Sequence, residues 1–242
     1  KKNRVFGITH KKEKSFFLNR EKNFHLITNN LKSKSSFENL ILKLEPHEIY
    51  NFAGFSSGEN MNNNPYEIGD LNGLAVTRIL ESIVKIDKNI RFCQASSSEI
   101  YGKTDISPQT ELTPFKPRSA YGISKLYAHQ MVGFFRENYG IFACSAILFN
   151  HTSPRQSMNF IVKKITHSVA MIKLGLLDKI FIGNLNAKRD WGYAKDYARA
   201  MSLMINNPIP DDYVISTGKI FSVRELCEIA FNYLDLDYKN YI

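Results

Sequence analysis

The chain has 242 residues, 43% of them hydrophobic and 23% charged, with a formal net charge of +9. That is enough apolar material for one large core, or a core domain with an appendage, in an ordinary soluble globular class. No apolar run approaches the roughly 20 residues that cross a bilayer, and none behind the N-terminal lysines reads as a signal peptide. A cytoplasmic protein with no membrane partner is expected. Cys93, Cys144 and Cys227 are odd in number and far apart, which suits reduced thiols and neither a disulfide frame nor a metal site. Many cations gather early, at Lys1, Lys2, Arg4, Lys11, Lys12, Lys14, Arg20 and Lys22. With no base-stacking or zinc motif beside them, they read as a solvated surface or a seat for phosphate, with no nucleic-acid partner expected.

In chain order, residues 4–9 (RVFGIT) read as a strand, 10–23 as a loop and 24–28 as a second strand. Ser35-Ser36-Phe37-Glu38 has the spacing of a capping box and opens a helix to about residue 44. A short buried strand is expected at 48–52, a helix at 68–86 and a strand at 89–95. Residues 104–118 hold three prolines and read as a loop. A helix to about 139 follows, then a strand at 142–148. Helix, strand and helix come next at about 160–174, 179–182 and 194–205. A strand at 213–216 and a helix capped by Ser222-x-x-Glu225 end the chain. Strands alternating with helices at these lengths predict an α/β fold, a doubly wound parallel sheet of Rossmann type. Residues 1–155 are expected to form its core. Residues 156–242 are expected to add the last core elements and the start of a smaller substrate-binding region.

Ligands of such sheets sit outside the carboxyl ends of the strands. Residues 51–56, 97–99 and 150–155 each follow a predicted strand, so they should line one crevice. Tyr121-Gly122-Ile123-Ser124-Lys125 follows the hydroxyl-rich strand end Ala95-Ser96-Ser97-Ser98-Glu99. Residues four apart share a helix face, which would point the Tyr121 phenol and the Lys125 ammonium into that crevice. A nearby cation favours the phenolate, so such a tyrosine can take a proton from an alcohol. Y-x-x-x-K recurs by chance in many helices, and Ser97 and Glu99 two residues apart supply the second half of the pattern. Ser97 can hydrogen-bond a reacting hydroxyl, and Glu99 can serve as acid or base at a neighbouring carbon. The alternative for Ser97–Glu99 is a plain strand-to-loop turn. Arg155 offers a phosphate grip, and Lys188-Arg189-Asp190-Trp191-Gly192 is either a substrate anchor or an Arg–Asp pair packed on an aromatic.

Six stretches together, EIYNFAG, RFCQASSSEIYGK, TPFKPRSAYGISKLYA, ILFNHTSPR, GNLNAKRDWGYAKDY and DDYVISTGKIFSVREL, resemble the GDP-mannose 4,6-dehydratases, extended short-chain dehydrogenase/reductases. The resemblance runs from about Glu48 to Leu226. It implies tightly held NADP, a GDP-sugar substrate, a homo-oligomer (dimer or tetramer) and a lyase reaction by internal hydride transfer. Motif by motif, it places the catalytic roles on Ser97, Glu99, Tyr121 and Lys125, with serine where the family usually has threonine. It implies cofactor contacts at Asn30, Leu31, Phe52, Ala53, Gly54 and Ser56, and at Tyr121, Lys125, His151 and Arg155. Substrate contacts fall on Ser97, Asn150, Lys164 and Arg189.

The pattern also breaks. The family's G-x-x-G-x-x-G turn, which cradles a pyrophosphate at a helix N-terminus, has no counterpart, since Gly7 is followed by no glycine until Gly54. Residues 4–8 resemble the family's second strand, and Lys11, Lys12, Ser15 and Phe16 its basic loop. On that alignment the first βα unit and a C-terminal stretch are absent. Asn30 stands for an aspartate, Thr152 for a glutamate and Gln156 for an arginine. Other readings are the same chemistry on a GDP-heptose, a reductase of the keto product, or a truncated non-catalytic member; as an isolated polypeptide the chain is expected to bind NADP poorly.

Overall fold

The computed structural model describes residues 3–10, 23–55 and 64–242. In chain order come strands β1 (Val5–Thr9) and β2 (Phe24–Thr28), helix α1 (Lys34–Leu44) and strand β3 (Glu48–Asn51). Helix α2 (Pro65–Gly69) runs through a π turn at Asp70–Leu74 into α3 (Ala75–Ile86). Strand β4 (Arg91–Ala95), a 3₁₀ turn (Ser98–Ile100), helix α4 (Ala120–Tyr139) and strand β5 (Ala143–Leu148) follow. The rest is β6 (Asn150–Thr152), α5 (Ile161–Lys173), β7 (Lys188–Arg189), β8 (Trp191–Tyr193), α6 (Ala194–Ile205), β9 (Tyr213–Ile215), β10 (Phe221–Ser222), α7 (Val223–Asn232) and a last 3₁₀ turn, Tyr238–Asn240.

The central sheet has the order β3-β4-β5-β9, all parallel. Its two-residue alternation divides the core. Phe92 and Ala143 face α1, α3 and α4, packing with Phe37, Ile79 and Val132. Cys93, Ala95, Cys144 and Ala146 face α6, packing with Tyr197, Met201 and Met204. Helices thus cover both faces, as a nearly all-apolar parallel strand requires. β1 pairs in parallel with β2 in a separate sheet, and β6 with β8 in another. A third cluster joins α5 and α7 around Ile165, Cys227 and Phe231. No helix among the described residues is long and apolar enough to cross a membrane.

Two local readings are corrected. The cap of α1 is Ser33, not Ser35: its side chain accepts the Ser36 N–H at 3.3 Å. The chain arrives there in a turn, with Asn30 Oδ1 accepting the Lys32 N–H at 3.0 Å, which makes Ser33 the first residue free to cap. Glu38 then bonds Lys85 across to α3 at 2.7 Å instead of closing a box. Residues 179–182 form no strand. Ile180 and Ile182 are apolar because they pack beside α5 and α7, and the Ile180 N–H goes to Tyr241 O. The helix expected at 68–86 starts earlier, at Pro65 behind the Asn64 cap.

Candidate active site

Strands β3, β4 and β5 lie side by side in parallel register, so their carboxyl ends open on one edge. β4 ends at Ala95. Ser97, in extended backbone, caps the 3₁₀ turn, its Oγ accepting the Glu99 N–H at 3.3 Å. Helix α4 starts where Ser119 Oγ accepts the Gly122 N–H at 3.0 Å, which puts Tyr121 in the first turn. Gly122 allows the helix to lie against the 3₁₀ turn: a Cβ there would stand 2.7 Å from the Glu99 carbonyl oxygen. The Tyr121 phenol thereby hydrogen-bonds the Ser97 hydroxyl and feels the Glu99 charge. Tyr121 is 8% exposed and Ser97 9%, while Glu99 is half-buried.

Lys125 lies one turn further on, 5% exposed. Its Nζ donates to Ala95 O at 2.9 Å and stands 5.8 Å from the centre of the Tyr121 ring. Burial brings the ammonium pKa down to about 8. The Tyr121 pKa is raised, chiefly by burial and further by Glu99, against the lowering effect of the Ser97 hydrogen bond. The expectation that Lys125 would hold the phenol low is therefore corrected. Lys125 bonds a carbonyl and sits over the ring, and burial dominates the phenol.

On the β3 side, Asn51 Oδ1 accepts the Ala53 N–H at 3.2 Å and Asn51 Nδ2 donates to Gln94 Oε1 at 2.8 Å. Asn72, buried in the π turn, brackets the backbone of Phe55: its Oδ1 accepts the N–H at 2.8 Å and its Nδ2 donates to the carbonyl at 3.1 Å. Gly54 is needed there, since a Cβ would lie 2.6 Å from Asn72 Oδ1. Phe52 is exposed. Ser56, Lys11, Lys12, Ser15 and Phe16 lie outside the described residues.

On the β5 side, β6 is held against β8, pairing Asn150 with Trp191. His151 Nδ1 shares a hydrogen bond with Phe149 O at 2.9 Å, and its ring lies 4.7 Å from that of Tyr197. Arg155 is exposed, its N–H on Ser153 Oγ at 3.2 Å. Two of the residues that depart from the family pattern meet here. Thr152 Oγ1 donates to Gln156 Oε1 at 2.9 Å, and Gln156 Nε2 donates to His151 O at 3.3 Å. An uncharged pair stands where the pattern has glutamate and arginine.

The remaining candidates lie elsewhere. Asn30 lies two residues beyond β2, in the turn that leads to α1, and Leu31, partly buried, packs against the α1–α3 core. Lys164 Nζ donates to Phe181 O at 2.9 Å, and exposed Arg189 donates to Lys188 O at 2.7 Å. Asp190 does not pair with Arg189. It is buried and accepts the N–H groups of Thr217 and Gly218 and the Thr217 hydroxyl, so it anchors the turn after β9. Sequence reasoning missed Asn72, Gln94 and Gly122. For the first two the available signal was an amide set within an apolar period.

A family model described as GDP-mannose 4,6 dehydratase matches residues 3–241. The chain is 45% identical over 213 residues to the human GDP-mannose 4,6 dehydratase, covering 87% of this chain and 57% of that protein. It is 44% identical over 216 residues to the Cricetulus griseus protein (88% and 58%), and 41% over 209 to that of Yersinia enterocolitica (86% and 56%). The chain thus spans well under two thirds of the length of these relatives. Among solved structures it resembles dTDP-glucose 4,6-dehydratase from Bacillus anthracis in complex with NAD, with TM-score 0.80, 21% identity and coverage of 93% and 68%. It also resembles RMD from Pseudomonas aeruginosa complexed with NADPH, with TM-score 0.81, 20% identity and coverage of 97% and 84%. These two likenesses establish the fold.

Proposed function

The chain belongs to the GDP-mannose 4,6-dehydratase family, and on that premise we propose that its site serves the dehydration of GDP-mannose to GDP-4-keto-6-deoxymannose, a lyase reaction run with NADP. The observation that carries this reading is the meeting of Tyr121, Ser97, Glu99 and Lys125 at the carboxyl edge of the parallel sheet. The residues fit a nicotinamide dinucleotide. Lys125 keeps N–H capacity beyond the proton it gives Ala95, the phenol is adjacent, and the Ala53–Gly54 loop offers backbone at the same edge. Phe52, His151 and Arg155 would complete that seat, and Asn150, Lys164 and Arg189 would meet the sugar nucleotide.

NADP, when bound, supplies a hydride acceptor that later becomes the donor, so the reaction consumes no net oxidant. Tyr121 takes the proton of the C4 hydroxyl while Ser97 holds that oxygen by a hydrogen bond. Lys125, held on Ala95 O, orients the ribose side of the cofactor, while the Ser97 hydrogen bond opposes the cost that burial imposes on ionising Tyr121. The C4 ketone acidifies C5. Glu99, half-buried and beside Tyr121, takes the C5 proton and protonates the departing C6 hydroxyl, which leaves as water; the hydride removed from C4 ends on C6 and the proton held by Tyr121 on C5, so only water is lost. In the assembled enzyme we place this chain in a cytoplasmic homo-oligomer, a dimer or tetramer.

Glu99→Gln is the test. It keeps size and removes the acid–base group, so incubation with GDP-mannose and NADP should lose the product one water lighter by about a hundredfold or more. Product formation at the native rate overturns the role of Glu99 and the dehydratase reading with it.

A further inference from the structure

A row of hydrogen bonds that no step above uses crosses from the end of β3 to α4. The Ala53 N–H reaches Asn51 Oδ1 (3.2 Å), Asn51 Nδ2 donates to Gln94 Oε1 (2.8 Å), and Gln94 Nε2 donates to Ala95 O (2.9 Å). The same Ala95 oxygen accepts Lys125 Nζ at 2.9 Å. Asn51 and Gln94 are register partners on adjacent parallel strands, 6% and 0% exposed. A primary amide at a fully buried strand position is costly unless its groups are satisfied, and an apolar β-branched residue would suit the place better on packing alone. Here both ends of the Gln94 amide are bonded, one toward the loop and the other onto the carbonyl that holds the lysine.

We infer that the Asn51–Gln94 amide pair is a positioning element, coupling the loop at residues 51–55 to Lys125 and fixing the direction from which Nζ points. The inference rests on the role proposed above for Lys125. A carbonyl oxygen has two lone pairs. Gln94 Nε2 takes one, so Nζ is confined to the other, and the positive end of an amide dipole lies beside the ammonium. The titratable neighbours in this arrangement are Tyr121, whose ring lies beneath Nζ, and Glu99, which acts on the Tyr121 phenol. β3 and β4 present uncharged Asn51 and Gln94.

The test follows Lys125 itself. In lysine-labelled protein, with the ¹³Cε resonance assigned through Lys125→Met, the titration is compared in wild type, Gln94→Glu and Gln94→Met. In Gln94→Glu the new carboxylate should raise the Lys125 midpoint by about one pH unit or more. Gln94→Met keeps the length of the side chain and removes its N–H, so the rise should be smaller. In both variants amide exchange at Ala53 should quicken about tenfold or more. Thermal melts establish that each variant is folded, and Gln94→Met decides the matter if Gln94→Glu is not. A midpoint and an Ala53 exchange rate unchanged in both variants overturn the coupling and leave the pair as packing. A wild-type protein that makes no keto sugar overturns the proposed function instead, and the titration still decides the coupling.

Discussion

Lys125 shows how a single group can serve a site at the expense of the fold. Its pKa of about 8 lies below the usual lysine value because the charged form is buried. Below pH 8 both native and unfolded chains hold the proton, and the full burial penalty stands. Between pH 8 and about 10.5 the unfolded chain binds more protons than the native one, so stability rises with pH. Lys125→Met should therefore be more stable than wild type at pH 7, by up to about 3 kcal/mol before the lost Ala95 hydrogen bond is deducted. The gain should shrink as pH approaches 10, in denaturant melts run across that range. Gly122 makes the converse point. A Cβ there meets backbone, which cannot move aside cheaply, so Gly122→Ala should cost about 1–3 kcal/mol and part Tyr121 from Glu99. Gly133 lies in the same helix with only the end of Arg136 at 3.7 Å from such a Cβ. Gly133→Ala should stabilise by about 0.5–1 kcal/mol in the same melts. The spacing of Ser97, Glu99, Tyr121 and Lys125 was legible in the sequence because helix and strand periods are local. The partners of Gln94 and Asn72 were not, because each lies on another element.

At the scale of the element, caps were read well where nothing distant competed. Ser222 and Glu225 close a full capping box on α7, as their spacing predicts. Ser35 and Glu38 have the same spacing and fail, because Ser33 caps the helix and leaves Ser35 inside its first turn, while Glu38 is engaged by Lys85 on α3. Ser222→Ala should cost about 1 kcal/mol in thermal or urea melts, and Ser35→Ala a few tenths at most. The uncharged Thr152–Gln156 pair invites a double-mutant cycle. Thr152→Glu alone puts a carboxylate opposite an amide oxygen, whereas Thr152→Glu with Gln156→Arg restores a charge pair. The double variant should recover about 1 kcal/mol relative to the sum of the singles. The strand expected at 179–182 failed for a reason general to short apolar runs: a buried Ile180 and a half-buried Ile182 are compatible with a ladder or with a packed coil, and Tyr241 decided for the coil.

Across the whole molecule, protection is set by burial of the sheet. β5 is buried at every residue and β4 at all but its first, while every residue of β1 and β2 is half-buried or exposed. Native-state hydrogen exchange should find β4 and β5 slowest and β1 and β2 faster by at least about a hundredfold. The parallel α/β class and the order of most elements were available from the sequence alone. Each follows from periodicity along the chain, and hydrophobic burial acts on that periodicity wherever the element ends up. The tertiary structure decided which strands became neighbours, that burial governs Tyr121, and that an amide pair joins β3 to the lysine of α4. Those outcomes depend on distances between residues remote in the chain, and no local pattern encodes such distances.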